Sequence, residues 1–102
     1  MKFQLVIQFE ASSEEDFDKL IEIEEIIENL VGSSHEVDGH DFGSGEMNIF
    51  IYTNNPNKAF ELIKSTLSES VENTMKVAYR EVKGEEYTVI WPLGFNDEFE
   101  IK

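Results

Sequence analysis

The chain has 102 residues and a mass of 11.8 kDa, room for one domain with one core and too little for a two-domain enzyme. Hydrophobic residues make up 40% of it, including 8 Phe, 3 Tyr and 1 Trp, so a packed core is within reach and disorder is not expected. Its 22 Asp and Glu against 8 Lys and Arg leave a net charge of -14, which repels phosphate and argues against nucleic acid or an anionic membrane; a basic protein partner fits better.

The charge is concentrated. Residues 10–46 hold 13 acids against the single base Lys19, so one third of the chain carries -12 of the -14. The absence of Cys excludes a disulfide framework, a thiol nucleophile and a thiolate zinc site. No long apolar segment suggests a signal peptide or membrane span, and a cytoplasmic location is the expectation.

Lys2 to Glu10 alternates strictly, with Phe3, Leu5, Ile7 and Phe9 on one side and Gln4, Val6 and Gln8 on the other, the pattern of a half-buried strand. Ser12 with Glu15 reads as a capping box that opens a helix. Phe17, Leu20, Ile21, Ile23, Ile27, Leu30 and Val31 then recur at helical spacing until Gly32. His35 to Phe42 reads as a polar strand, and Gly43-Ser44-Gly45 as the hairpin turn into a stronger strand, Met47 to Thr53. Asn55-Pro56 caps a second helix expected to run to about Ser70, through Phe60, Ile63, Leu67 and Val71. Met75 to Lys83 and Tyr87 to Trp91 are expected to form an antiparallel hairpin across Gly84. An acidic tail over 93–102 is expected either to dock or to fray.

This order, β-α-β-β-α-β with one added strand, predicts an α+β fold in one domain over 1–102: a ferredoxin-like split βαβ sandwich with both helices on one face of an antiparallel sheet. Phe3, Leu5, Ile7, Phe9, Met47, Ile49 and Ile51 are expected to meet the helices. The opposite face, with Val6, Phe50 and Tyr52, is too apolar to be bare, and a cover is expected.

Three groups of residues are candidates for partner binding. On the first helix Asp18, Glu22, Glu25 and Asn29 form one outward ridge at i, i+4, i+7 and i+11. Like charges at these spacings cost roughly 0.2–0.5 kcal/mol per pair, which a basic partner would relieve; the competing reading is a solvated acidic face. Asp38, His40, Asp41 and Glu46 cluster on the polar strand and its turn. Strand alternation puts Glu36, Asp38, His40 and Phe42 on one face and His35, Val37 and Asp41 on the other. Phe50 and Tyr52 lie on the face away from the helices, a place where a second copy of the chain or a partner can pack.

His40 near Asp38 and Glu36 hints at a metal site, but 2 His, no Cys and no HExxH or EF-hand spacing favour a hydrogen-bonded edge strand. The Gly-Ser-Gly turn lacks the following helix and the base of a phosphate loop. No GxSxG elbow or isolated carboxylate pair points to catalysis, and Phe50 with Tyr52 lacks the basic frame an RNA-binding sheet needs. No catalytic residue, metal or cofactor is expected.

The run DGHDFGSGEMNIFIYTNNP at 38–56, followed by YTVIWP at 87–92, resembles small bacterial toxin-immunity proteins of the contact-dependent-inhibition type. The resemblance implies an intracellular, non-enzymatic protein that neutralises a basic toxin domain, such as a nuclease, by covering its surface. The alternative is a homodimeric ligand-sensing or regulatory ferredoxin-like domain.

Overall fold

The computed structural model describes residues 2–10, 13–31, 35–43, 45–65, 67 and 75–91. The elements are β1 (Phe3–Glu10), α1 (Glu14–Val31), β2 (His35–Gly43), β3 (Glu46–Thr53), α2 (Pro56–Lys64), β4 (Lys76–Glu81) and β5 (Thr88–Trp91). The strands form one antiparallel sheet in the order β2-β3-β1-β4-β5, so the described residues form an α+β fold with two helices. Ser12 of the expected capping box, the expected Gly32 stop, Ser44 of the turn, Ser70 and Val71 of the expected second helix and the acidic tail lie outside the described residues.

Alternation in β1 and β3 builds the core. Leu5, Ile7 and Phe9 of β1, Met47, Ile49 and Ile51 of β3, and Val77 of β4 join Leu20, Ile23 and Ile27 of α1 and Ala59, Phe60 and Ile63 of α2 in one buried cluster. Both helices therefore cover the same face of the sheet. Burying each large side chain of this set contributes about 1.5–3 kcal/mol. Phe3, expected with this group, is instead half-buried at the sheet's end, edge-to-face with Tyr79 at 5.7 Å. Ile21, counted with the apolar stripe of the first helix, is exposed, because the stripe that meets the sheet runs through Leu20, Ile23 and Ile27.

Local chemistry sets the ends of the helices. Ser13 Oγ accepts the backbone N–H of Asp16 at 3.2 Å, so the cap of α1 sits one residue after the expected Ser12. Asn55 Oδ1 accepts the N–H of Lys58 at 3.1 Å, with Pro56 in the first turn, as the sequence suggests. α2 ends at Lys64, short of Ser70. The hydroxyl of Ser65 donates to the Leu62 carbonyl at 2.7 Å, a local bond that competes with helix continuation.

β4 likewise ends at Glu81 rather than Lys83. There Gly84 N–H closes a turn onto the Glu81 carbonyl at 2.8 Å, and Arg80 Nη1 donates to the carbonyls of Glu81, Val82 and Gly84. The guanidinium thus holds the turn that returns the chain into β5.

Candidate functional site

The acidic surface starts on α1. Asp18, Glu22, Glu25 and Asn29 are all exposed and lie along one outward row, as their spacing requires. A neighbouring row, Phe17, Ile21, Glu24 and Glu28, leans toward β2. Phe17 packs edge-to-face on Phe42 with ring centroids 4.2 Å apart. His40 Nδ1 donates to both carboxylate oxygens of Glu24 at 2.9 Å. The Glu24 side chain keeps only 12% of its exposure, so this contact is partly withdrawn from water and becomes an ion pair when the imidazole is protonated.

The His40 contact is possible only because β2 contains a bulge. The register shifts between Val37, opposite Ile51, and Gly39, opposite Phe50, leaving Asp38 as the extra residue. Gly39 takes φ +145°, a region that L side chains rarely adopt. Past the bulge the faces are exchanged: His40 stands opposite Ile49 and Phe42 opposite Met47, both on the helix side, while Asp41 faces Asn48 on the other side. The expected constellation of Glu36, Asp38, His40 and Phe42 on one face is therefore broken, and the partner of His40 is Glu24 rather than a carboxylate of its own strand.

The candidate residues divide accordingly. Asp18, Glu22, Glu25 and His40 lie on the helix side; Asp41, Glu46, Phe50 and Tyr52 lie on the second face; exposed Asp38 marks the bulge between them. Glu46 stands opposite Glu10 across the β1–β3 ladder, and its Oε1 is buried with no hydrogen-bond partner among the described residues. That pairing of two acids is unfavourable and unexplained by any contact of Glu46. Sequence reading missed three participants. Ile21 and Ile26 flank the acidic row with 37% and 50% of their surface exposed, and Glu24 supplies the link to β2. Exposed isoleucines cannot be told from buried ones by residue type; the signal available was that both lie off the Leu20, Ile23, Ile27 stripe.

His35 is the other histidine and has a structural role. It is buried at the start of β2, 2.6 Å from Thr53 Oγ1 through Nδ1, and Thr53 Oγ1 also accepts the backbone N–H of Asn55 at 3.0 Å. The hydroxyl hydrogen of Thr53 is then free to donate to Nδ1 of a neutral imidazole. Burial, and secondarily the charge of Lys58, hold the His35 pKa below its ordinary 6.5. The chain Asn55, Thr53, His35 thus ties the cap of α2 to the start of β2.

Among the described residues, no group of three or more His, Asp or Glu is arranged to hold a metal ion. An open groove of about 540 Å³ runs along Phe3, Tyr79, Arg80 and Thr88, but Arg80 Nη1 is engaged with the three carbonyls of the turn. Among the described residues no helix is long and apolar enough to cross a membrane. Comparison with protein-family models, curated proteins and solved structures finds no match to this chain.

Proposed function

We propose that this chain is a non-enzymatic acidic binding protein of ferredoxin-like architecture with a fifth strand, and that its partner is a basic protein surface. In its specific form the reading is an intracellular immunity protein that covers a basic toxin domain, such as a nuclease. The observation that carries it is the exposed row Asp18, Glu22, Glu25 and Asn29, flanked by exposed Ile21 and Ile26. Acids without interleaved bases cost the free helix stability, and apolar side chains among them supply contact area that acids alone do not. Electrostatic complementarity would speed encounter, and Ile21 and Ile26 would slow dissociation.

The Glu24–His40 contact supports a broader footprint, because it holds the β2 edge with Asp38 against the acidic helix. The homodimer reading, centred on Phe50 and Tyr52, has less in its favour: Val6 and Ala78 in the centre of that face are already buried. The test is to recover the partner from native cells, identify it, and measure its association rate with the purified chain at low and high salt. A basic partner whose association slows steeply with salt is the expected result. A partner without a basic surface, or a rate indifferent to salt, would overturn the proposal.

A further inference from the structure

Two of the exposed aliphatic side chains face one another across the helix layer. α1 lies toward the β2 edge of the sheet: Phe17 packs on Phe42, and Glu24 accepts from His40. α2 lies toward the opposite edge, where Phe60 meets Trp91 of β5 and Lys64 Nζ sits 4.1 Å from the centre of the same ring. At 3.6 residues per turn, a step of two residues along a helix turns the side chain by about 200°. Ile26 is two residues from Glu24 and Leu62 two from Lys64, so each leaves its helix on the flank that looks toward the other helix.

Both are open to water there, Ile26 with 50% of its surface and Leu62 with 37%. Beneath them Ile23 and Ile27 of α1 and Ala59 and Ile63 of α2 belong to the buried core. The core therefore runs outward into an apolar groove between the helices. Ile21 is three residues from Glu24 and lies on the β2 flank, outside this groove.

The two walls of the groove differ in charge. On α1 the exposed residues that rise beside it are Glu15, Asp18, Glu22 and Glu25, against Lys19. On α2 exposed Lys58 and Glu61 cancel. An occupant is thus held by apolar contact along the middle and by charge on one side. The groove also sets its backbone conformation. The N–H and C=O groups along α1 and α2 are used within the helices and offer nothing to an extended chain, so the occupant must satisfy its own backbone, as a helix does. Packed helices lie with axes about 8–10 Å apart, and a third helix seats over the groove at the same separation.

We propose that the groove between α1 and α2 receives an amphipathic helix of the basic partner, with its apolar stripe on Ile26 and Leu62 and its Lys or Arg side chains on the flank over α1. The inference rests on the reading of this chain as an acidic binding protein, and it names the element of the partner that is gripped. Bases on that one flank meet Asp18, Glu22 and Glu25, whereas the flank over α2 needs no net charge.

The test uses the full chain and a synthetic peptide of about 18 residues, roughly 27 Å when helical and the length of α1. It carries Leu at helical spacing and Lys along one flank; a shuffled isomer of the same composition is the control. The amphipathic peptide should give saturable shifts in the resonances of Ile26 and Leu62, and the isomer should not. Ile26→Gln and Leu62→Gln, at exposed positions where Gln keeps the helix, should each weaken binding about tenfold, while Val82→Gln, exposed in the turn after β4, should leave it unchanged. Equal binding of the isomer, shifts confined to Asp18, Glu22 and Glu25, or no saturable shift overturns the groove. With the partner recovered from native cells, salt-sensitive association that Leu62→Gln does not weaken overturns the groove and leaves the basic partner in place. Association indifferent to salt overturns the reading on which it rests.

Discussion

The two faces of the sheet solve the burial problem differently. The helix side is closed by large aliphatic residues, with Ile7, Ile49 and Ile51 of the strands against Ile23, Ile27 and Ile63 of the helices. On the second side one transverse row, Phe50, Val6, Ala78 and Val89, is apolar, and it lies between two polar rows. Each polar row runs from an acid on β2 to a base on β4: Asp41, Asn48, Gln8 and Lys76 on one side, Glu36, Tyr52, Gln4 and Arg80 on the other. The helix side specifies the fold through volume and period, whereas the second side sorts charge across the sheet and buries polar groups that must find partners.

The sharpest way to break this contrast is to make a cavity on each side of the sheet. Ile49→Ala on the helix side should cost about 2–5 kcal/mol in urea unfolding. Val6→Ala on the second side removes fewer atoms from a thinner layer and should cost distinctly less. Equal losses would mean that the two faces are equally well packed and that the contrast is wrong.

The next largest effect concerns the buried His35. Because its pKa is lowered on folding, the folded chain binds fewer protons than the unfolded one between the folded value and 6.5. Its contribution is complete above 6.5 and is lost as pH falls toward the folded value. Stability measured at descending pH should drop in this window, and the drop should shrink in His35→Gln. Thr53→Val, which leaves both the imidazole Nδ1 and the Asn55 N–H without a partner, should cost about 1–3 kcal/mol near neutral pH.

At the bulge, Gly39→Ala meets no atom within 4 Å, so any loss arises from the backbone at φ +145° alone. We expect about 1–3 kcal/mol by thermal or urea unfolding, with weakening of the His40–Glu24 contact visible in the imidazole resonances. An unchanged stability would show that β2 can realign without its bulge.

The smallest effect on stability, and the most informative for function, is reversal of the acidic row. Asp18→Lys, Glu22→Lys and Glu25→Lys together should leave the fold intact and raise stability by a few tenths to about 1 kcal/mol, since repulsion between acids is removed. Partner association should slow at low salt. If stability rises and association does not change, the row is only a solvated helix face.

The α+β class, the strand alternation of β1 and β3, the apolar stripe of α1 and the Asn55-Pro56 start of α2 were legible in the sequence, because each depends on periodicity or on a cap within one turn. The exposed acidic row followed from the same helical spacing. The partner of His40 was not legible. One extra residue at Asp38 exchanges the faces of everything after it, and neither His40 nor Glu24 carries a local mark of a contact 16 residues away. The early ends of α2 and β4 were hidden for a related reason: a hydroxyl at Ser65 and a guanidinium at Arg80 compete for backbone carbonyls. Period and capping are properties of neighbours in the chain, and the sequence determines them by itself; register, the choice among competing acceptors and the burial of the second face depend on groups that only the folded chain brings together.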